Sequence, residues 1–419
     1  MASEEHEQQE HLASMQELEQ EDRLSHDILL SILERIKLRE AARTSVLSRR
    51  WRCLFGLRSR IIVETDDFHS KGKGSNVTQD DLVQISNKGV VEATKSMLAP
   101  TYRHPITQLR LRFFLVEDSV GIIRCVDEAM ANRGITTLQF LIHPEILDMH
   151  STEDDMVTYG RRFMRFLGAG PRAFGGLSYL FMHCLRLGVD DMASVLNTCK
   201  KLDYLCLNLC DFFYCGTPSV LQIDHPQLTT LTLAYCTFER VKLNWLPRLN
   251  RLNVETWSDS QDQYPIRFGC VPNLSVLVLR NRATIHHKTI HLSSFLSNVM
   301  LGVLDLDFDC KKVWDHTSCE HIDEERQQLY QKESNLLTRM APADFKHYNL
   351  KELTIKGYQV DEKFTGYVRC VVEAAINLEH MVLLDSGSCE RCKFSPSTSF
   401  PRTQEGRELI RKQILQWTY

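Results

Sequence analysis

The sequence predicts an α/β protein in which a small helical domain precedes a curved solenoid of short parallel strands. Three observations lead to this fold class. A six-residue apolar template recurs along most of the chain at nearly regular spacing. Before its first copy, residues 22–57 carry apolar side chains at helical spacing. The composition, with 43% hydrophobic and 25% charged residues, is that of an ordinary globular protein.

Length, charge and cysteine usage restrict the classes of function. The chain has 419 residues, enough for more than one domain, and its net charge of −4 offers no large basic field for nucleic acid. The longest uncharged stretch, Thr289–Leu304, is short and partly polar, so we expect no membrane span. The acidic N-terminus is not a secretory signal, and the 14 scattered cysteines are typical of reduced, buried thiols. We therefore expect a cytoplasmic and/or nuclear protein.

The helical domain is preceded by an acidic segment. Residues 1–21 contain seven Glu and no Lys or Arg, which predicts a disordered tail. Five regions follow from the patterns: the tail at 1–21, the helical domain at 22–60, a linker and helix at 61–105 with an exposed loop at Lys71–Asn76 and a helix at 78–98, the solenoid at 106–348 with insertions near 141–176 and 310–349, and a C-terminal region at 349–419.

The template of the solenoid reads apolar-x-x-Leu-x-apolar, with Met in place of Leu in the last copy. Within a strand, side chains alternate between the two faces, so the apolar positions point inward and the intervening ones outward. The copies lie at Ile106–Leu111, Ile135–Phe140, Leu177–Met182, Leu202–Leu207, Leu228–Leu233, Leu249–Val254, Leu274–Leu279, Leu301–Leu306, Leu350–Ile355 and Leu378–Leu383.

The spacing of these copies is that of leucine-rich repeats. Successive copies start 29, 42, 25, 26, 21, 25, 27, 49 and 28 residues apart, and most of these distances match the repeat length of that class. The two long distances require insertions, for which we predict helices around Asp154–Leu167 and Glu320–Arg339. Cys210 and Cys236 directly follow two of the strands, where this class of repeat buries a small side chain, so we interpret both as packing residues.

The helical domain carries the most specific motif of the chain. Two amphipathic helices are predicted, with apolar positions at Leu24, Ile28, Leu29, Ile32, Leu33 and Ile36 and then at Ala42, Val46, Leu47, Trp51 and Leu54. The run Arg43-Thr-Ser-Val-Leu-Ser-Arg-Arg-Trp-Arg52 resembles the signature of plant F-box domains. The downstream repeats and the segment Asn349–Cys392 resemble F-box/leucine-rich-repeat proteins with a C-terminal FBD segment. One departure is Ser25, which follows Leu24 where the family usually has Pro; Ser can cap a helix, so we expect an altered helix entry.

The resemblance implies a function and a set of partners. It implies a non-catalytic subunit of a ubiquitin ligase that binds a Skp-family adaptor through the F-box, and through it a cullin and a RING protein. No cofactor is implied. The adaptor-facing residues would come from Leu24, Ile28, Leu29, Leu33, Val46, Leu47 and Trp51. The alternative for each of them is a place in the domain's own core.

The outward strand positions are the expected binding surface for an unknown target protein. Aromatic and Arg side chains, the usual anchors of interfaces, are available there. The candidates are Tyr179, Phe181, His183, Tyr204, Arg251 and Arg280, and the alternative is that they are ordinary exposed strand residues. A repeat scaffold that binds proteins outside any ligase is the rival function.

Catalytic and metal-binding interpretations are weaker. Cys389-Glu-Arg-Cys392 has the C-x-x-C spacing but lacks a second ligand pair. The Asp305, Asp307 and Asp309 series lacks the Gly and closing Glu of a calcium loop. Cys206, Cys210 and Cys215 do not converge in the repeat register, and the His286-His287 pair lies in a polar stretch. No sequence context marks an activated thiol for thioester chemistry, so we expect neither a metal nor a catalytic residue.

Overall fold

The computed structural model of the chain describes residues 26–68, 78–99, 104–146, 151–188, 190–212, 220–238, 240–255, 266–280, 296, 299–307, 346–358, 360, 362–385 and 400–415. The chain divides into two compact units. Unit 1 comprises Met1–Ile146 and Arg165–Ser178, and unit 2 comprises Leu147–Met164 and Tyr179–Tyr419. The acidic tail, Leu24, Ser25, the Lys71–Asn76 loop, the predicted helix at Glu320–Arg339 and the pair Cys389 and Cys392 lie outside the described residues.

Unit 1 begins with three short helices, which we call the helical domain. They are α1 (residues 26–35), α2 (Leu38–Thr44) and α3 (Arg49–Gly56). Their core is small: Leu33, Ala41 and Leu54 are fully or almost fully buried. Six further apolar side chains pack around these three and stay partly exposed, namely Leu29, Leu30, Ile36, Trp51, Phe55 and Leu57.

The second predicted helix is in fact two helices, which corrects the prediction of a single amphipathic helix after Ile36. The Thr44 and Ser45 hydroxyls donate to the carbonyls of Ala41 and Ala42, at 2.7 and 2.6 Å, and this competes with helix continuation. Ser48 then accepts a hydrogen bond from the Trp51 N–H and caps α3. Residues 45–47 consequently form a turn between α2 and α3.

The rest of unit 1 is a parallel sheet covered by helices. Its strands are β1 (Arg60–Val63), β2 (Ile106–Phe114) and β3 (Ile135–His143), paired in the order β1-β2-β3. The helices are α4 (Gln79–Met97), which confirms the helix expected at 78–98, and α5 (Val120–Asn132). Helix α7 (Pro171–Gly175) also belongs to unit 1. Helix α6 (Glu153–Ala169), which confirms the helix expected in the first insertion, begins in unit 2 and ends in unit 1. Strand β1 was not predicted because four residues are too few to show a recognisable alternation of apolar and polar side chains.

Aromatic and polar contacts hold unit 1 together. The Phe113, Phe140 and Phe174 rings meet edge to face, with centroids 5.7 and 5.6 Å apart. The side chain of Asn87 on α4 donates to Ser119 and accepts from the Phe114 N–H on β2. This bond satisfies a polar group that burial would otherwise leave costly.

Unit 2 contains a longer run of parallel strands, which we call the main sheet. Eight strands pair in the order β4-β6-β9-β11-β13-β14-β15-β16. They are β4 (Leu177–His183), β6 (Tyr204–Asn208), β9 (Thr230–Ala234), β11 (Arg251–Glu255), β13 (Val276–Arg280), β14 (Val303–Asp307), β15 (Glu352–Lys356) and β16 (His380–Leu384). Together with β2 and β3 they account for all ten copies of the template, which confirms the repeats.

The repeat explains the register of the main sheet. The Leu residues at template positions, such as Leu231 and Leu252, are fully buried and pair with each other from strand to strand. Directly after three strands the backbone turns with positive φ, at Cys184 (57°), Leu209 (52°) and Tyr235 (54°). Each of these residues donates its N–H to the last strand residue of the next repeat. The turn therefore repeats with the strands.

Smaller elements complete unit 2. A three-stranded parallel sheet, which we call the second sheet, has the order β12-β10-β8, and β5 pairs with β7. These strands were not predicted, because they fall between the template copies. The strands are β5 (Arg186–Leu187), β7 (Asp211–Phe212), β8 (Val220–Asp224), β10 (Arg240–Trp245) and β12 (Ile266–Cys270). The helices of unit 2 include α8 (Asp191–Thr198), α9 (Glu362–Ala374) and α10 (Gln404–Leu415). No helix in the described part of the chain is long and apolar enough to cross a bilayer.

Candidate protein-interaction surfaces

The helical domain exposes large apolar side chains. Ile28 and Ile32 are 55% and 46% exposed, and they lie one turn apart on α1 and therefore on one face of it. Val46 and Leu47, in the turn between α2 and α3, are 76% and 73% exposed. Apolar side chains left in water at this density are typical of a surface that a partner covers.

The structure sorts the predicted adaptor-facing residues into three groups. Ile28, Val46 and Leu47 are exposed, whereas Leu29 and Trp51 are half-buried against the core. Leu33 is fully buried, and this corrects its assignment to the adaptor face, since a side chain enclosed by its own domain is not available to a partner. Leu24 lies outside the described residues.

One exposed residue of the helical domain was missed. Ile32 was recognised as an apolar helical position but not as a candidate contact. The i, i+4 spacing from Ile28 was the available signal.

Two hydrogen bonds link α1 to the residue just before β1. The Ser59 N–H and hydroxyl both donate to the Glu34 carboxylate, at 3.1 and 2.6 Å.

The main sheet places its outward side chains in three rows. The first row runs through Tyr179, Tyr204, Thr230 and Arg251, which are register partners on successive strands. The Tyr179 and Tyr204 rings are stacked, with centroids 4.6 Å apart and planes 18° apart. The Tyr204 hydroxyl lies 3.1 Å from the Thr232 hydroxyl in the neighbouring row. Three of the predicted target-facing residues are thereby brought into one line.

The third row alternates in charge. Glu255, Arg280, Asp307 and Lys356 are successive register partners on β11, β13, β14 and β15. Arg280 donates to Glu255 at 2.7 Å, and Lys356 lies 3.7 Å from Asp307. Arg280 is half-exposed. Because it is already paired with Glu255, it is a weaker candidate for a target contact than the exposed Arg251.

Two other predicted target-facing residues lie close together on β4. The Phe181 and His183 rings meet edge to face, with centroids 5.8 Å apart. Phe181 is half-buried, but His183 is almost fully buried. The expected exposure of His183 on the outward face is therefore not observed.

The cysteines of unit 2 behave as packing residues. Cys210 and Cys236 are buried, as predicted, and their thiols point at carbonyls of Asn208 and Ala234 at 3.3 and 3.4 Å. Cys206 is also buried, although the template places it outward. Burial raises the pKa of Cys199, Cys206 and Cys236 to about 12, the opposite of the change that makes a thiol a nucleophile at neutral pH.

The remaining chemical motifs find no support in the part of the chain that the structure covers. Asp305 and Asp307 project from β14, and burial raises the pKa of Asp305. Among the described residues no group of three or more His, Cys, Asp or Glu side chains is placed to hold a metal ion. Cys215, Asp309, His286 and His287 lie outside these residues.

The fold and its surfaces define a class of protein: a repeat solenoid in the same chain as a helical domain with exposed apolar side chains. Comparison with known families makes this specific. Residues 22–61 match the F-box domain family, and residues 129–301 match the leucine-rich repeats of the family described as FBD-associated F-box protein At5g56370. The two matches lie in the order F-box domain, then leucine-rich repeats.

A curated relative has the same arrangement in its name. The F-box/LRR-repeat protein At1g06630 of Arabidopsis thaliana is 27% identical over 254 residues. The match covers 56% of this chain and 58% of the relative. The matched region thus spans less than two thirds of the relative's length.

Proposed function

We propose that the chain is the substrate-recruiting subunit of a Skp-cullin-F-box ubiquitin ligase. The observation that carries this proposal is the exposure of Ile28, Ile32, Val46 and Leu47 in a domain that matches the F-box family. Apolar side chains that stay in water raise the free energy of the free domain, and a partner surface that covers them lowers it again. The partner is a Skp-family adaptor, through which a cullin and a RING protein join the complex.

The chain contributes specificity and position rather than bond chemistry. Once a target is held next to the conjugating enzyme, the effective concentration of its lysines rises, and transfer becomes almost intramolecular. The target surface is the outward face of the main sheet, centred on the stacked Tyr179 and Tyr204 rings and the exposed Arg251. Phe181, His183 and Arg280 border this surface. Such a complex works in the cytoplasm or the nucleus.

The C-terminal region at 349–419 belongs to the same proposal as an FBD-like unit. In the described part of it, β15 and β16 extend the main sheet, α9 lies between these two strands in the chain, and α10 follows β16. Ile410 and Ile414 of α10 are buried, and Arg369 of α9 donates to the Gln413 carbonyl of α10 at 2.7 Å. The region therefore continues the solenoid with helices of its own.

The adaptor interaction is tested by a pull-down of the purified full chain with a Skp-family adaptor. We expect the unaltered chain to bind and the Leu47→Asp variant to bind roughly thirtyfold more weakly, because a charge would replace an interface anchor. Leu47 is exposed, so this change leaves the core intact. Trp51→Ala is a poorer test, since Trp51 also packs against the core.

The matched control is Leu409→Asp, the same change at an exposed Leu on α10. We expect it to bind the adaptor like the unaltered chain. A correctly folded chain that does not bind any Skp-family adaptor would rule out the ligase role. That result would favour the second candidate, a repeat scaffold outside a ligase, which Ser25 at the usual Pro position already supports to some degree.

The target face has its own test. The triple variant Tyr179→Ala/Tyr204→Ala/Arg251→Ala should lose the target proteins that the unaltered chain captures, while it keeps adaptor binding. A triple variant on β15, Glu352→Ala/Thr354→Ala/Lys356→Ala, is the control on the same sheet. If both triple variants captured the same targets as the unaltered chain, the binding surface would lie elsewhere.

A further inference from the structure

The second sheet of unit 2 has a face that neither the F-box nor the main sheet uses. On β8 and β10 the residues Leu221, Ile223, Val241 and Leu243 are buried. The residues between them therefore point away from the core, as the period of two in a strand requires. This outward face of β8, β10 and β12 is called the second-sheet face below.

Three cations meet on the second-sheet face. Lys242 on β10 is the register partner of Arg267 on β12 and of Gln222 on β8. Arg240 lies two residues before Lys242 and so projects to the same side. Like charges side by side on neighbouring strands repel each other, so a negative charge beside them would stabilise the sheet.

That negative charge does not come from the part of the chain that the structure describes. No carboxylate there forms an ion pair with Arg240, Lys242 or Arg267, whereas Arg280 and Lys356 on the main sheet are both paired. The acidic residue of β8, Asp224, instead accepts a hydrogen bond from the Asn244 amide at 2.9 Å. The Nε atom of Arg240 is buried without a hydrogen-bond partner in the same part of the chain.

A large aromatic side chain lies at the end of the cationic strand. The register of β10 shifts between Leu243 and Trp245, and this irregularity leaves both Asn244 and Trp245 exposed. Trp245 is 49% exposed, and Trp is among the residues that most often anchor protein interfaces. The second sheet thus presents three cations that form no ion pair with the described residues, and a half-exposed Trp at the end of β10.

We propose that the second-sheet face is a docking surface for an acidic peptide segment of a partner protein. Carboxylates of the segment bind Arg240, Lys242 and Arg267, and an apolar side chain of the segment packs on Trp245. Arg and Lys form their strongest hydrogen bonds with carboxylates. A nucleic acid is the poorer fit, because three cations in a chain of net charge −4 neutralise few phosphates. The surface shares no residue with the proposed adaptor or target sites, so its test is independent of the ligase role.

The test is fluorescence anisotropy of a labelled synthetic peptide, a short run of Glu with one Leu, titrated with the full chain at low salt. We expect saturable binding that weakens as salt is added, and no binding of the same peptide with Gln in place of Glu. Lys242→Glu/Arg267→Glu should bind the Glu peptide roughly tenfold more weakly, the product of small gains from exposed ion pairs. Trp245→Ala should weaken binding of the Leu-containing peptide roughly threefold and leave a Leu-free Glu peptide unaffected.

The control variant is Lys200→Glu/Lys201→Glu, which changes the net charge equally at two exposed lysines outside the second sheet. Circular dichroism verifies that each variant is folded. Equal weakening by both double variants would overturn the proposal, because the effect would then come from total charge. Equal binding of the Gln peptide, or tighter binding of a single-stranded oligonucleotide than of the Glu peptide, would also overturn it.

Discussion

The helical domain and the main sheet treat the same kind of side chain in opposite ways. Leu231 and Leu252 in the main sheet are fully buried, while Leu47 in the helical domain is largely exposed. The difference lies in how many neighbours each element has. Every inner strand of the main sheet is covered by a strand on each side, so each template Leu meets an equivalent Leu. The three helices enclose a small set of side chains, with Leu33, Ala41 and Leu54 as their core.

Burial in the main sheet is a property of the repeat, and exposure in the helical domain is a property of an incomplete core. A repeat cannot bury its apolar face alone, and its neighbours in the chain complete it. A domain of three short helices has too little interior to bury all of its apolar residues, so some of them stay exposed. The chain itself covers the apolar side chains of the main sheet, whereas under the proposed function a partner chain covers those of the helical domain.

The largest effect is expected where burial is complete. Leu252→Ala removes a fully buried side chain whose register partners are Leu231 and Leu277, and it should lower the free energy of unfolding by about 2–5 kcal/mol. Urea denaturation followed by circular dichroism measures this change. Arg251→Ala, one residue earlier on the outward face, should change it by about 0.5 kcal/mol or less. Similar effects at both positions would contradict the inward and outward assignment of β11.

The helical domain offers the same test within a small core. Leu33→Ala should destabilise α1, α2 and α3 by about 2 kcal/mol, near the lower limit for a buried Leu, because the half-buried neighbours can collapse into the space. Leu47→Ala should leave their stability unchanged within about 0.5 kcal/mol. Hydrogen exchange of the amides of these helices measures both. Loss of protection in Leu47→Ala would show that Leu47 supports the domain and is not reserved for a partner.

The two regions also differ in how far the sequence predicts them. The repeat template locates ten strands, because a periodic pattern is repeated often enough to exclude chance. In the helical domain the pattern predicts helices but not the break at residues 45–47, which depends on the hydroxyls of Thr44, Ser45 and Ser48. Nor can periodicity separate Leu33 from Ile32, since both lie at apolar helical positions and only the packing buries one of them. The template does not detect the second sheet, because the strands of that sheet fall between the template copies.

Acidification should weaken unit 2 more than the helical domain. His225 and His347 are buried at equivalent repeat positions, where Nε2 donates to a backbone carbonyl and Nδ1 accepts from backbone N–H groups. Burial lowers the pKa of both imidazoles, so folding requires the neutral form. Because the unfolded state binds protons more readily, stability is fully present above the ordinary His pKa of about 6.5 and declines as the pH falls below it.

Denaturation curves between neutral and mildly acidic pH measure this dependence, and we expect a smaller loss than that of Leu252→Ala. His225→Leu adopts the residue that the next repeat has at this position, Leu246. It should be less stable at neutral pH, since the N–H groups of Gln227 and Leu228 lose their acceptor, but its stability should depend less on pH. An unchanged pH dependence in this variant would exclude His225 as a titrating group.

The smallest effect is on reactivity rather than stability, and it compares the two regions through their thiols. Cys53 on α3 is exposed, whereas Cys199, Cys206, Cys210 and Cys236 in unit 2 are buried, and burial raises their pKa. A thiol reacts as its thiolate, so the native chain should be alkylated at Cys53 within the time in which these four remain unmodified at neutral pH. Mass spectrometry of peptides after iodoacetamide treatment measures this, and the urea-unfolded chain, in which all of them react, is the control. Early modification of Cys236 in the native chain would mean that the main sheet opens locally at β9, and the repeats would then be less completely covered by their neighbours than the structure shows.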